Sequence, residues 1–139
     1  MDREEIVYNF REACKKGNLI LAKKLTETYD ITIKDARSCH NYALQWACEN
    51  GHISTARWLV ETFALTTEDV RSLDDHALRF TCKYGHTSTA KWLLNTFYTE
   101  DNIEKIIERI IKNLILTQKT KEFLKNYQPF GAFSKPTKM

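Results

Sequence analysis

Glycine and proline are scarce in this sequence of 139 residues, with 4 and 2 copies. Because tight turns most often need these residues, their scarcity argues against a fold rich in β-hairpins and favours helices joined by short loops. No apolar run approaches the roughly 20 residues that span a bilayer. The first ten residues, MDREEIVYNF, are charged from the second position, so we expect no secretory signal and no membrane segment.

A strong net charge is also missing. The formal net charge of +3 is too small to indicate a nucleic-acid-binding protein by itself. The charge is uneven, because the segment from Asn102 onward carries eight basic and three acidic residues, and the rest of the chain is slightly acidic. With 42% hydrophobic residues, a chain of this length can form the core of one domain.

Signatures of catalysis and of cofactor binding are missing too. The sequence contains neither GxGxxG nor GxxxxGK[ST], and its four cysteines form no CxxC pair. Cys48 and His52, like Cys82 and His86, have the spacing of half a zinc site, but a structural site needs four converging ligands. We therefore expect no enzyme, metal or cofactor. The thiols should be reduced in an intracellular protein, and Cys39 is the one that we expect to be reactive.

A repeat of 34 residues dominates the sequence. YALQWACENGHISTARWLVETF (42–63) aligns with HALRFTCKYGHTSTAKWLLNTF (76–97), and YNFREACKKGNLILAKKLTETY (8–29) is a weaker copy. Identical residues recur at several positions: Cys14, Cys48 and Cys82; Gly17, Gly51 and Gly85; Ala22, Ala56 and Ala90; Leu25, Leu59 and Leu93. A period of this length is typical of helical solenoids.

Each repeat has the pattern of two helices joined by a turn. In the second repeat, Leu44, Ala47 and Cys48 share one face of a first helix, Gly51 supplies the positive φ that ends it, and a second helix follows. Neither helix can bury its apolar face alone, so neighbouring repeats must stack. Trp58 and Trp92 occupy one repeat position on the second helix, and this repetition favours a packing role.

The segments between repeats predict helix starts. Thr32 with Asp35, and Thr66 with Asp69, have the spacing of a capping box, so we expect a short helical turn there and not a β-hairpin. We also expect Asp2 to cap the first helix and Thr117 to open the last one.

The C-terminal part reads as a degenerate capping unit. Its apolar stripe comprises Ile103, Ile106, Ile107, Ile110, Ile111 and Leu114. This stripe predicts core packing against the third repeat, and the alternatives are self-association and a membrane-surface helix. We expect one domain over residues 1–127, with units at about 6–40, 41–74 and 75–101, a cap at 102–127, and a flexible basic tail at 128–139.

These units resemble ankyrin repeats, whose first helix and turn follow T-P-L-H-x-A-A-x-x-G-H. The second repeat matches this motif at Leu44, Ala47, Gly51 and His52, and the third at Leu78, Gly85 and His86. The T-P step and the glycine after the second helix are absent. The style is similar to divergent arrays of large DNA viruses and protists. The fold class implied is an all-α ankyrin-like solenoid of three repeats and a cap.

The resemblance implies a protein-binding module, acting inside a cell (the host cell if the source is viral) as a monomer without a small-molecule substrate. Family members bind partners on a concave face formed by the ends of the first helices and the preceding loops. The residues implied here are Lys15, Lys16, Asn41, Trp46, Glu49, Asn50, Asp75, Lys83 and Tyr84, and they suit an acidic or mixed-charge partner. Alternatives are nucleic-acid binding by the basic C-terminal segment and self-association through the isoleucine stripe. In the family, the histidine at the position of His52 and His86 stabilises the turn by hydrogen bonds.

Overall fold

The computed structural model describes residues 1–128, and over that range it is an array of α-helices without a β-strand. The helices are α1 Arg3–Lys15, α2 Leu19–Tyr29, α3 Ile33–Glu49, α4 Ile53–Phe63, α5 Thr67–Val70, α6 Ser72–Lys83, α7 Thr87–Phe97, α8 Glu100–Asn113 and α9 Gln118–Lys125. This confirms the predicted all-α repeat solenoid. The predicted tail falls almost wholly on residues 129–139, which lie outside the described part.

The stack is built from the first helices of the three repeats. Helix α3 packs against α1 on one side and α6 on the other, while α2, α4 and α7 each pack against the first helix of their own repeat. The repeated leucines Leu25, Leu59 and Leu93 all belong to the same buried core. Thr81 adds a buried bond between layers, because its hydroxyl donates to the carbonyl of Cys48 at 3.0 Å. The apolar seams of the repeats therefore form one continuous interior.

The predicted helix starts are confirmed. Thr32 and Thr66 form complete capping boxes with Asp35 and Asp69, and Asp2 accepts a hydrogen bond from the amide of Glu5. Thr117 likewise accepts from the amide of Thr120 at the start of α9. The short helical turn predicted between repeats is present at the start of α3 and as α5.

An arginine from the preceding repeat binds each capping-box aspartate. Arg3 pairs with Asp35, and one repeat later Arg37 forms a two-pronged ion pair with Asp69, with both N–O distances at 3.0 Å. Burial alone would raise the pKa of Asp69, but the hydrogen bonds from Arg37 and from Thr66 outweigh burial and lower it. These pairs fix neighbouring repeats in register.

A left-handed turn follows each of these short helical segments, and the sequence did not predict it. Three successive residues adopt positive φ at Cys39–Asn41 (53°, 57° and 59°) and again at Leu73–Asp75 (55°, 56° and 58°). None is glycine, and the conformation costs about 1–2 kcal/mol per ordinary residue. Ser38 and Ser72 anchor the two turns by donating to the carbonyls of Asp35 and Asp69. Each turn kinks the helix in which it lies.

The C-terminal helices cover the open end of the third repeat. Ile103, Ile106 and Ile110 of α8 are buried, while Ile107, Ile111 and Leu114 are half-buried against the same core. The prediction of core packing is therefore confirmed for the stripe, and little of it is left exposed for a second copy or a lipid surface. Helix α8 begins at Glu100, slightly before the predicted cap boundary, with Thr99 as its N-cap.

Candidate functional site

The nine predicted partner-binding residues divide by burial into two groups. Lys16, Asn50, Lys83 and Tyr84 are exposed, and Lys15 and Trp46 are half-buried. Asn41, Glu49 and Asp75 are buried, with exposed fractions of 8%, 5% and 6%. The first group is directly accessible to a partner as the surface stands.

Asn41 and Asp75 have structural roles in the left-handed turns. Both occupy the last position of a left-handed turn, a conformation that Asn and Asp tolerate better than most residues. Asp75 forms an ion pair with Arg71 at 2.8 Å and accepts a hydrogen bond from the hydroxyl of Tyr98 at 2.6 Å. Both side chains are buried as the surface stands, so their contact with a partner stays a prediction.

A strip of aromatic rings runs along the first helices α3 and α6, and we call it the aromatic strip. Its members are Tyr42, Trp46, His76, Phe80 and Tyr84, spaced four residues apart on each helix. Ring centroids lie 5.7 Å apart for Tyr42–Trp46, 4.3 Å for His76–Phe80 and 6.3 Å for Phe80–Tyr84. Because Tyr42 and His76, like Trp46 and Phe80, are 34 residues apart, the two helices present the same face.

Sequence reasoning identified only Trp46 and Tyr84 of this strip. The sequence does contain a signal for the other members of the strip. Tyr8, Tyr42 and His76 share one repeat position, and Trp46 and Phe80 share another. Aromatic residues at the same repeat position of successive first helices predict a shared aromatic surface, because these helices are neighbours in the stack.

Lysine ammonium groups lie over these rings. The Lys15 Nζ is 4.7 Å from the centre of the Trp46 ring, and the Lys83 Nζ is 5.3 Å from Phe80 and 5.7 Å from Tyr84. Such cation–π contacts hold long side chains in place at exposed sites, with energies of about 0.5–1 kcal/mol. The Asn50 amide also donates to the carbonyl of Lys15 at 3.1 Å. The surface is therefore ordered before any partner arrives.

Glu49 lies among these basic and aromatic groups. Its Oε1 is 3.7 Å from the Nε2 of His76, a separation too long for a hydrogen bond. Burial raises the pKa of the Glu49 carboxyl, and the charges of Lys15 and Lys83 act in the opposite direction. Burial together with the charge of Arg79 lowers the pKa of His76, so this histidine is neutral near pH 7.

His52 and His86 do not serve as hydrogen-bonding caps of the turns, contrary to the role that the resemblance implied. No side-chain cap hydrogen bond forms at either helix start. The His52 ring instead covers Gly17 of the preceding repeat, since a Cβ added to Gly17 would lie 2.4 Å from His52 Nδ1. His86 covers Gly51 in the same way, and Thr120 lies over Gly85. The 34-residue register thus continues into the C-terminal unit.

Three of the four cysteines and two of the three tryptophans pack in or against the core. Burial raises the pKa of Cys14, Cys48 and Cys82 to about 12, which is the opposite of what a nucleophile or metal ligand needs. Cys39 is exposed. Trp58 and Trp92 pack against the core as predicted, with edge-to-face contacts to Phe63 and Phe97. Among residues 1–128, no three metal-binding side chains converge.

The basic C-terminal segment is spread over two helices and the loop between them. Lys105, Lys112, Lys119 and Lys125 are exposed, whereas Arg109 pairs with Asp74 at 2.9 Å. Within the described range, no helix combines the length and apolarity needed to cross a bilayer.

One comparison with known proteins gives a match. A family model described as ankyrin repeats (3 copies) matches residues 10–106, which is more than half of the chain and covers nearly all of the three repeats. No curated protein and no solved structure matches the chain.

Proposed function

Because the chain belongs to the ankyrin-repeat family, whose members are generally protein–protein interaction modules, we propose that it binds a partner protein through one surface of its first helices. This recognition surface comprises the aromatic strip together with Lys15, Lys16, Asn50 and Lys83. The family is typically non-catalytic, and we infer the same for this chain. We further propose that it acts as a monomer inside a cell, supported by its free thiols and its covered isoleucine stripe.

The observation that carries this proposal is the continuity of rings and ammonium groups across three successive first helices. Lys15 of α1 reaches Trp46 of α3, and the aromatic strip continues on α6. Aromatic residues are enriched at the centres of protein interfaces, because they bury much area at little entropic loss. The exposed lysines favour an acidic or mixed-charge partner and would speed its association.

The rigidity of the surface supports tight binding. Trp46 contacts both the Tyr42 ring and the Lys15 ammonium group, and the Asn50 amide bonds the backbone carbonyl of Lys15. Side chains that are already ordered lose little freedom on docking, and each immobilised side chain would otherwise cost about 0.5–1.5 kcal/mol. The preformed aromatic rings therefore keep more of their contact energy as affinity.

Charge reversal of the lysines tests the proposal. We expect the triple variant Lys15→Glu, Lys16→Glu and Lys83→Glu to lose at least about tenfold in partner recovery from native-cell extract, an effect of about 1.4 kcal/mol. The matched control reverses Lys23, Lys24 and Lys91, which are exposed on the second helices, and leaves recovery unchanged. Equal recovery by both folded variants would refute the proposed surface.

Binding of nucleic acid by the basic C-terminal segment stays a prediction. Its signature is binding of generic DNA or RNA that weakens steeply with salt.

A further inference from the structure

Lys15, Glu49 and Lys83 occupy the same position in three successive repeats, 34 residues apart. They lie at the C-terminal ends of α1, α3 and α6, which are neighbours in the stack. These helix ends therefore carry a charge order of positive, negative and positive across the repeats. Because α3 packs against both α1 and α6, the three charges lie on neighbouring helix ends, and burial raises the pKa of the Glu49 carboxyl while the charges of both lysines act to lower it.

Glu49 differs from Lys15 and Lys83 in both charge and burial. Its side chain is almost fully buried, yet among residues 1–128 the one ion pair that it forms is the 3.7 Å contact with His76. His76 is neutral near pH 7 and so contributes no full positive charge. A carboxylate with so little access to water and no close donor is poorly stabilised, and a partner that supplies a donor improves its pairing.

Resting on the proposed function, we propose that the partner presents an extended segment with the complementary order of acid, base and acid. Its central Lys or Arg pairs with Glu49, and its two acidic residues pair with Lys15 and Lys83. Neighbouring helices lie about 8–10 Å apart, and an extended segment in the polyproline II conformation advances about 3.1 Å per residue and places every third side chain on the same face. The three charges of the partner are thus spaced about three residues apart.

The rings around Glu49 suit this central base. Trp46 precedes Glu49 by three residues on α3, and Phe80 holds the equivalent of the Trp46 position on α6. Their faces already hold the ammonium groups of Lys15 and Lys83, which shows that these rings accept cations. When the acidic residues of the partner draw the lysines outward, the faces become available to the incoming base.

The test is a selection of randomised twelve-residue peptides on the full chain, followed by affinity measurements with the best synthetic peptide. We expect the selected peptides to share an acidic, basic and acidic order. Replacing the central base of the peptide by alanine should weaken binding to the unmodified chain at least about tenfold. The same replacement should change binding to Glu49→Gln less than about twofold.

Glu61→Gln is the matched control, because Glu61 is an exposed glutamate of α4, and it should retain the full tenfold effect. Glu49→Gln keeps the shape of the side chain, and thermal melting verifies its fold. Selected peptides without a central base, or a central base whose effect is independent of Glu49, would overturn this inference alone. Peptides whose binding ignores the Lys15, Lys16 and Lys83 reversal would overturn the proposed function as well.

Discussion

Replacement of Asp75 by alanine is expected to lower the free energy of unfolding by about 3–5 kcal/mol, measured by urea denaturation. The carboxylate of Asp75 is buried and bonds the Arg71 guanidinium and the Tyr98 hydroxyl, with Arg109 of α8 at 3.7 Å. Its removal leaves the Arg71 guanidinium and the buried Tyr98 hydroxyl without their acceptor, while Arg109 keeps its ion pair with Asp74. Alanine also fits the left-handed backbone at this position less well than aspartate does.

The variant Asp75→Asn separates the loss of the negative charge from the strain that alanine would introduce in the left-handed backbone. Asparagine tolerates the left-handed conformation, occurs naturally at the equivalent Asn41, and retains an acceptor for Tyr98. We expect it to lose about half as much stability as Asp75→Ala, because only the ion pairs are removed. If Asp75→Ala left the free energy of unfolding nearly unchanged, this network would not hold α8 and Tyr98 to α6.

Gly51→Ala is expected to destabilise the protein by about 2–4 kcal/mol. The φ of Gly51 is +74°, which strains any residue with a Cβ, and the added Cβ would lie 2.5 Å from the Nδ1 of His86. Gly85→Ala is the matched control, because its φ is +76° but the nearest atom to an added Cβ is 3.8 Å away. Gly85→Ala should cost only the strain, about 1–2 kcal/mol.

A double-mutant cycle tests whether the larger destabilisation by Gly51→Ala is caused by the His86 ring. His86→Ala makes room for the new Cβ, so Gly51→Ala should cost no more in that background than Gly85→Ala does in the unmodified chain. Equal losses for Gly51→Ala and Gly85→Ala in the unmodified chain would contradict the histidine-over-glycine contact between repeats.

The sequence was sufficient for features that depend on local chemistry or on the repeat itself. The spacing of Thr32 with Asp35 predicted a capping box, and the period of 34 predicted the buried Leu59 and Leu93. Both depend on side chains near in sequence or on a pattern copied along the chain.

The left-handed turns were not predictable in this way, because local propensity disfavours them. Leu73 adopts a φ of 55° only because contacts from outside the turn hold it there. Arg79 donates to the carbonyls of Leu73 and Asp74, and Asp75 accepts a hydrogen bond from Tyr98, which directly follows α7. Asn41 and Asp75 are buried in these turns, so their burial was not predictable from the sequence either.

The aromatic strip was partly predictable. Equivalent ring positions are visible in the sequence at Trp46 and Phe80, but their availability depends on how neighbouring first helices pack. The buried state of Glu49 depends on that packing too, since the residues that surround it come from α1 and α6.

The central claim is that a partner protein docks on the recognition surface, and site-specific photocrosslinking in the native cell tests it most directly. A benzophenone side chain placed at Tyr84, which is 55% exposed, should yield a discrete crosslinked species with a partner. The same group at Ser88, exposed on α7 of the same repeat, should yield none. Crosslinking from Ser88 without crosslinking from Tyr84 would contradict the account.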